Sequence, residues 1–239
     1  ENLDADMICA TLNETSTGVI IDDLPQVGEG QLLAVDATSG GGQVPCDVSK
    51  VDVFFFSPQK VFASEGGLFV AILSPKARER ALELANDESR YIPEIMSWKN
   101  AIDNSDKGQV YNTPSISTLF FLNEQIKKMN ETGYANVIEQ GIEKSQLVYQ
   151  WAEGKDYLDP FIKEEKFRSS VVCTINVDES LPVGDLLKKL HEEKVVYGIE
   201  PYRKLGKNQL RIGVFHNVLK EDVEKLLALL SHYFESARA

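Results

Sequence analysis

The feature that most constrains this sequence is Val51–Phe56, an apolar run that stops at Ser57-Pro58 and hands over to a lone lysine, Lys60. A second run, Leu32–Val35, ends in Asp36 and then in Ala37-Thr38-Ser39-Gly40. Apolar runs of this length, bounded by turn formers, read as strands covered on two faces, the habit of a parallel sheet. Open sheets of that kind bind ligands at the carboxyl ends of their strands. An aspartate and a lysine at two such ends are therefore candidates for a single site.

Bulk properties narrow the field. The chain has 239 residues, 43% hydrophobic and 26% charged, which is ordinary globular composition for one large domain or two smaller ones. No run approaches the ~20 apolar residues of a membrane span. The start, Glu1-Asn2-Leu3-Asp4, lacks the basic-then-apolar pattern of a signal peptide, so a cytoplasmic location is expected. The net charge of −12 argues against nucleic acid, because the nearest basic group is only Arg203-Lys204 with Lys207 and Arg211. That group suits a small anion. Cys9, Cys46 and Cys173 are scattered, as are His191, His216 and His232, so no metal site is expected. Cys9 and Cys173 sit in apolar runs and are expected to be small core side chains.

Along the chain, residues 5–11 read as a strand ending in the polar loop Leu12-Asn13-Glu14-Thr15-Ser16-Thr17-Gly18. A capped turn and a hydroxyl-lined rim both fit that loop. Strands follow at 31–35, 51–56 and 67–73, the last two expected to be covered on both faces. Ser74-Pro75 opens a helix. Residues 86–111 show no clear period and are expected to be functional or packed on a partner. Tyr111-Asn112-Thr113-Pro114 enters a further helix, and here Asn112 and Thr113 read either as caps or as donors to an anion. A helix at about 133–153 then bridges to a small unit: strand 171–177, helix 183–194, strand 209–215 and terminal helix 219–237. The division expected is 1–130 for a large α/β unit and 131–239 for the bridge and a small α+β unit.

Lys60, Asp36, Asn112 with Thr113, and Arg211 are the residue types that hold pyridoxal phosphate and a carboxylate substrate. A lysine takes the aldehyde as an imine, a carboxylate keeps the ring nitrogen protonated, donors hold the phosphate, and an arginine forks onto a carboxylate. Most lysines and aspartates are solvated surface charges, so the residues alone leave that reading open as well.

Five segments in order carry a resemblance: Asn13-Glu14-Thr15-Ser16-Thr17-Gly18, Val35-Asp36-Ala37-Thr38-Ser39, Ser57-Pro58-Gln59-Lys60, Tyr111-Asn112-Thr113-Pro114 and Glu200-Pro201-Tyr202-Arg203-Lys204-Leu205-Gly206. Together they resemble the phosphoserine aminotransferases, of the bacterial branch of the class V, fold-type I pyridoxal enzymes. The resemblance implies a mostly parallel large domain and a small C-terminal α+β domain, with pyridoxal phosphate as cofactor. It implies that Lys60 bears the cofactor, that Gln59 helps hold its phosphate, that Asp36 pairs with the ring nitrogen and that Thr15 bonds near the ring's phenolic oxygen. It implies a homodimer in which Asn112 and Thr113 reach the cofactor phosphate of the other subunit. It further implies that Arg211 grips the substrate α-carboxylate and that Arg203 and Lys204 serve the substrate phosphate.

The implied reaction moves the amino group of glutamate to 3-phosphohydroxypyruvate, giving phosphoserine and 2-oxoglutarate in serine biosynthesis. Relatives extend further at the N-terminus, so the chain is expected to correspond to the C-terminal two-thirds of such an enzyme. The missing part would carry the glycine turn around the cofactor phosphate, the aromatic residue stacked on the ring and a second substrate arginine. Leu12 stands where relatives often have His or Pro. The alternatives are another class V transaminase, of alanine- or serine-glyoxylate type, and a catalytically silent fragment of the fold.

Overall fold

The computed structural model describes residues 4–202 and 206–238. Its larger sheet has four strands in the order β1 (Met7–Thr11), β4 (Leu32–Asp36), β5 (Val53–Phe56) and β6 (Val70–Leu73). The first three run parallel, with Thr11 beside Asp36 and Asp36 beside Phe55. β6 returns antiparallel to β5, which the sequence does not signal. It is also an edge strand with Ile72 exposed, so its apolar run is not covered on both faces as expected. A short hairpin, β2 (Asn13–Glu14) with β3 (Val19–Ile20), sits beyond the end of β1.

β4 is the most deeply placed strand of this sheet, with Leu33 and Val35 fully enclosed. Asp52, the one charge inside the 51–56 run, is held by local bonds. Its carboxylate accepts the Leu33 N–H at 2.9 Å and the Ser74 hydroxyl at 2.7 Å. Ser74 in turn caps α1 (Pro75–Ala85), accepting the Ala77 N–H at 3.1 Å, with Pro75 in the first turn. The irregular 86–111 stretch contains α2 (Trp98–Ser105), capped by Ser97. α2 was illegible because only Ile102 of its residues is buried, so no apolar period marks it.

α3 (Ile116–Thr132) and α4 (Tyr134–Glu153) are separated by Gly133, whose φ of 84° suits a residue without a Cβ. The capping reading of Asn112 and Thr113 is corrected here, because Ser115 caps α3 by accepting the Thr118 N–H. α4 buries Val137, Gly141, Lys144, Ser145, Val148, Tyr149 and Ala152, a continuous stripe at helical spacing. Its first half packs on the core of the large sheet through Val137, and its second half on another core through Val148 and Tyr149. That second core fills the space between α4, α5 (Val183–Glu192), α6 (Lys220–Arg238) and an antiparallel sheet of β7 (Leu158–Pro160), β8 (Val172–Val177) and β9 (Gln209–Gly213).

The two cysteines expected in the core part company. Cys173 is buried and its thiol is pushed up to about 12 by burial. Cys9 is exposed, because β1 is the edge strand of its sheet and alternate residues face outward.

Lys144 is the unexpected member of the α4 stripe. Its Nζ donates to the carbonyl oxygens of Phe215 at 2.7 Å and Val218 at 2.8 Å, capping the loop between β9 and α6. Burial lowers its amine from 10.5 to about 8. Above pH 8 the folded chain has begun to release a proton that the unfolded chain still holds, so this residue makes stability rise with pH from about 8 to 10.5. Urea midpoints of the wild type and Lys144→Met, compared from pH 7.5 to 10, should diverge in favour of the wild type as pH rises, by no more than about 3 kcal/mol. Parallel curves would show that the amine is not desolvated.

Candidate active site

Three adjacent parallel strands end on one edge of the sheet, and each delivers a polar loop there. β1 leads into Leu12–Gly18, β4 into Ala37–Val44 and β5 into Ser57–Ser64. Backbone bonds extend the ladder past the strand ends, from Leu12 N–H to Asp36 O and from Ala37 N–H to Phe55 O, both 2.9 Å. Thr15, Asp36 and Lys60 are thus placed on neighbouring loops by strand order alone.

The Asp36 carboxylate accepts the Thr38 N–H at 2.9 Å through Oδ1, which fixes its orientation and leaves Oδ2 for a second donor. Lys60 is half-buried between the enclosed side chains of Pro58 and Val61, and no carboxylate pairs with it among the described residues. Its loop closes through Ser64 N–H to Pro58 O at 3.1 Å, with Ala63 at a φ of 46°. The Ser64 hydroxyl then ties that loop to Thr118 O on α3 at 2.7 Å. Gln59 is exposed at the mouth of the same loop.

The Thr15 loop is fixed by a residue the sequence did not single out. Ser39 Oγ accepts the Asn13 side-chain N–H at 2.8 Å and the Thr15 hydroxyl at 2.7 Å, and donates to Asn13 O at 3.0 Å. Ser169 Oγ accepts the N–H groups of Val171 and Val172, so its own proton goes to Asn13 Oδ1. Asn13, only 3% exposed, thereby has a partner at each end of its amide. Glu14 shapes the turn itself: its carboxylate accepts from the N–H and hydroxyl of Ser16, which hold it below the usual carboxylate range. Gly18 admits the crossing β8 backbone, since a Cβ there would lie 2.7 Å from Val172 O.

Arg211 reaches this edge from β9. One guanidinium N–H points to Thr15 O at 3.5 Å, and the group lies 5.8 Å from the centre of the Tyr202 ring. Arg78, Arg80, Arg90, Arg168 and Arg238 all pair with carboxylates, whereas Arg211 pairs with none among the described residues. Lys207 stands over the Phe161 ring at 4.9 Å. Arg203 and Lys204 lie outside the described residues. Asn112 and Thr113 are exposed ahead of α3, and no described hydrogen bond joins them to the Thr15–Asp36 group.

Residues 2–226 match the family model described as aminotransferase class-V. The chain belongs to the class V aminotransferases. It is 43% identical over 237 residues to a phosphoserine aminotransferase of Corynebacterium glutamicum (strain R), covering 98% of this chain and 62% of that protein. A phosphoserine aminotransferase of Rhodococcus opacus (strain B4) is 44% identical over 223 residues, covering 92% of this chain and 59% of its own. Among solved structures, a phosphoserine aminotransferase from Cytophaga hutchinsonii superposes with a TM-score of 0.85 at 27% identity, over 96% of this chain and 64% of that one. The chain therefore has the fold-type I aminotransferase fold and spans about three-fifths of the length of the curated relatives it matches.

The residues of this class V chain that sequence reasoning missed, Ser39, Gln43 and Ser169, share one property. Each acts through bonds to residues remote in sequence, which no local period or turn pattern reports. Ser39→Ala should therefore cost more than Thr15→Ala in urea denaturation. The first takes the Ser39 hydroxyl away from the buried Asn13 side-chain N–H and backbone carbonyl, about 1–3 kcal/mol, whereas the second removes one partly exposed bond, about 1 kcal/mol. The reverse order would refute the hub.

Proposed function

We propose that this chain carries the lysine, ring-nitrogen and carboxylate positions of a pyridoxal-phosphate-dependent phosphoserine aminotransferase. The observation that carries the reading is Arg211, a guanidinium that pairs with no carboxylate among the described residues of a strongly acidic chain, placed beside Thr15 at the edge where Asp36 and Lys60 also arrive. Homology to curated phosphoserine aminotransferases supports the same substrate class.

The donor set fits the cofactor. Among the described residues Asp36 keeps one carboxylate oxygen uncommitted and Lys60 has no competing ion pair, so an aspartate can hold a pyridinium N–H while the amine meets an aldehyde. When bound, the cofactor supplies an electron sink for charge developing at the substrate α-carbon. Lys60 takes and returns the proton at that carbon. Asp36 keeps the ring nitrogen protonated, and Thr15 bonds near the phenolic oxygen. Gln59, with Asn112 and Thr113 of a second subunit, holds the phosphate. Arg211 binds and orients the substrate α-carboxylate as a bidentate fork, fixing which proton faces Lys60. Arg203 and Lys204 receive the substrate phosphate.

The accepted keto acid is 3-phosphohydroxypyruvate and the amino donor glutamate, giving phosphoserine and 2-oxoglutarate, a cytoplasmic step of serine biosynthesis. Residues 1–130 form the cofactor-binding unit and 131–239 the bridging helix and substrate-side unit, a division supported by the separate core of the small unit, with Val137, Val171 and Val172 reaching into the core of the large sheet. A homodimer with shared sites is supported by the exposure of Asn112 and Thr113 within a stretch that also exposes Tyr91, Ile95, Met96, Val110, Ile116 and Phe120. No helix among the described residues is long and apolar enough to cross a membrane.

Mixing the purified protein with pyridoxal phosphate should give a visible absorption band, and borohydride should fix the label on Lys60. A colourless protein, or label on another lysine, refutes the assignment. Substrate class is tested separately. Neutralising Arg203 and Lys204 should lower kcat/KM for the phosphorylated keto acid by about tenfold or more while sparing an unphosphorylated one. Equal losses would point to a glyoxylate-type transaminase.

A further inference from the structure

We propose that Gln43 is a positioning residue that sets the spacing between Asp36 and Arg211 by tying the loop after β4 to the chain after β9. The inference rests on the reading that these two residues face cofactor and substrate carboxylate. Gln43 is fully buried, yet every apolar side chain of its size would fill that space without burying an amide. Its Nε2 donates to Ser170 O at 2.8 Å and to Val214 O at 3.1 Å, so both amide protons go to backbone of the small unit. Its Oε1 accepts no hydrogen bond among the described residues, a cost that only the two donated bonds offset.

The surroundings are shaped to admit this amide. Gly141 of α4 lies directly under it, where a Cβ would stand 2.5 Å from Nε2 and 3.0 Å from Cδ. That approach explains a glycine in the middle of a long helix, otherwise a destabilising choice. The loop leading to Gln43 is a stiff succession of turns. Gly40 and Gly41 N–H groups bond Ala37 O, and Gln43 and Val44 N–H groups bond Gly40 O. One end of this arm is Asp36, whose own carboxylate is held by Thr38.

At the other end, Val214 N–H bonds Val171 O at 2.8 Å, so the chains at 170–171 and 214 run side by side and Gln43 grips both. Val214 lies three residues beyond Arg211 on the same extended segment, and Ser170 adjoins Ser169, the partner of Asn13. Movement of the Gln43 amide is thus transmitted to the guanidinium, while Lys60 and Asp36 stay on the large sheet.

The test uses the purified protein, its Gln43→Met and its Gln43→Glu variants, with pyridoxal phosphate titrated by absorbance and glutarate, a non-reacting dicarboxylate, titrated into the loaded protein by calorimetry. Gln43→Met should keep cofactor affinity and the labelled lysine. It should lose affinity for glutarate by about five- to tenfold, with KM raised in proportion and kcat little changed. Gln43→Glu should recover glutarate affinity on acidification, because a buried carboxyl stays protonated to unusually high pH and then donates one of the two bonds. Undiminished glutarate affinity in Gln43→Met overturns the inference, as does an equal loss of cofactor and glutarate binding, which would mean general loosening. A wild-type protein that forms no Lys60 adduct refutes the functional reading, and this inference with it.

Discussion

The parallel alignment of β1, β4 and β5 is the constraint on which the site depends. Because the three strands share one direction and are neighbours in space, the loops that leave them must emerge together. Asp36 is the hinge of this arrangement, facing Thr11 on one side and Phe55 on the other. A slip of one residue in either pairing would send Val35 and Asp36 to the opposite face. Both faces of β4 are buried, so a slip would force Leu33 and Val35 into space shaped for Leu32 and Ala34, which close packing resists. Site geometry is therefore secured by apolar burial several ångströms from any functional atom.

Apolar burial joins the small unit to the large one, because Val137, Val171, Val172 and Phe215 share the core of the large sheet. Finer placement falls to hydrogen bonds made by buried polar side chains. Asn13 meets Ser169 and Gln43 meets the carbonyls of Ser170 and Val214 across the boundary, while inside the small unit the Tyr149 hydroxyl bonds Ser169 O at 3.0 Å and Lys144 caps the 215–218 loop. Hydrogen bonds have narrow geometry where apolar contacts slide, so a boundary built from them holds distance and direction as well as proximity. Arg211 belongs to the unit beyond that boundary, yet the carboxylate-binding role proposed for it depends on its place relative to Asp36. A polar seam is what such a division of labour requires.

The same distinction explains what could be read in the sequence. Buried strands that end in one charged residue are local patterns, so Asp36 and Lys60 stand out, and so do α1, α4 and α6. The hydroxyl loop at 12–18 was legible as a loop, but its two readings collapse into one only when Ser39 and Ser169 arrive from elsewhere in the chain. Gln43 carries no local signature whatever, since its partners are 127 and 171 residues away. Cys9 was misplaced because an apolar run does not report whether its strand is central or at an edge. Asn112 and Thr113 lost their capping reading to Ser115, two residues on, the usual uncertainty at a helix start.

The proposed function sets an acidic chain against anionic substrates, and charge resolves that tension. Acidic residues outnumber basic ones, 37 to 25, and five of the described arginines are already held by carboxylates. An arginine that escapes pairing in such a background must be kept from the surrounding acids by its neighbours. For Arg211 those neighbours are a carbonyl oxygen and an aromatic face, Thr15 O and the Tyr202 ring, which orient a guanidinium without neutralising it. A carboxylate arriving there meets a full positive charge already aimed, and the rest of the acidic surface repels the same anion from every other place. On the proposed function, net charge and local charge thus act in the same direction: the overall acidity sharpens selection for the sheet edge to which Asp36, Lys60 and Arg211 are delivered.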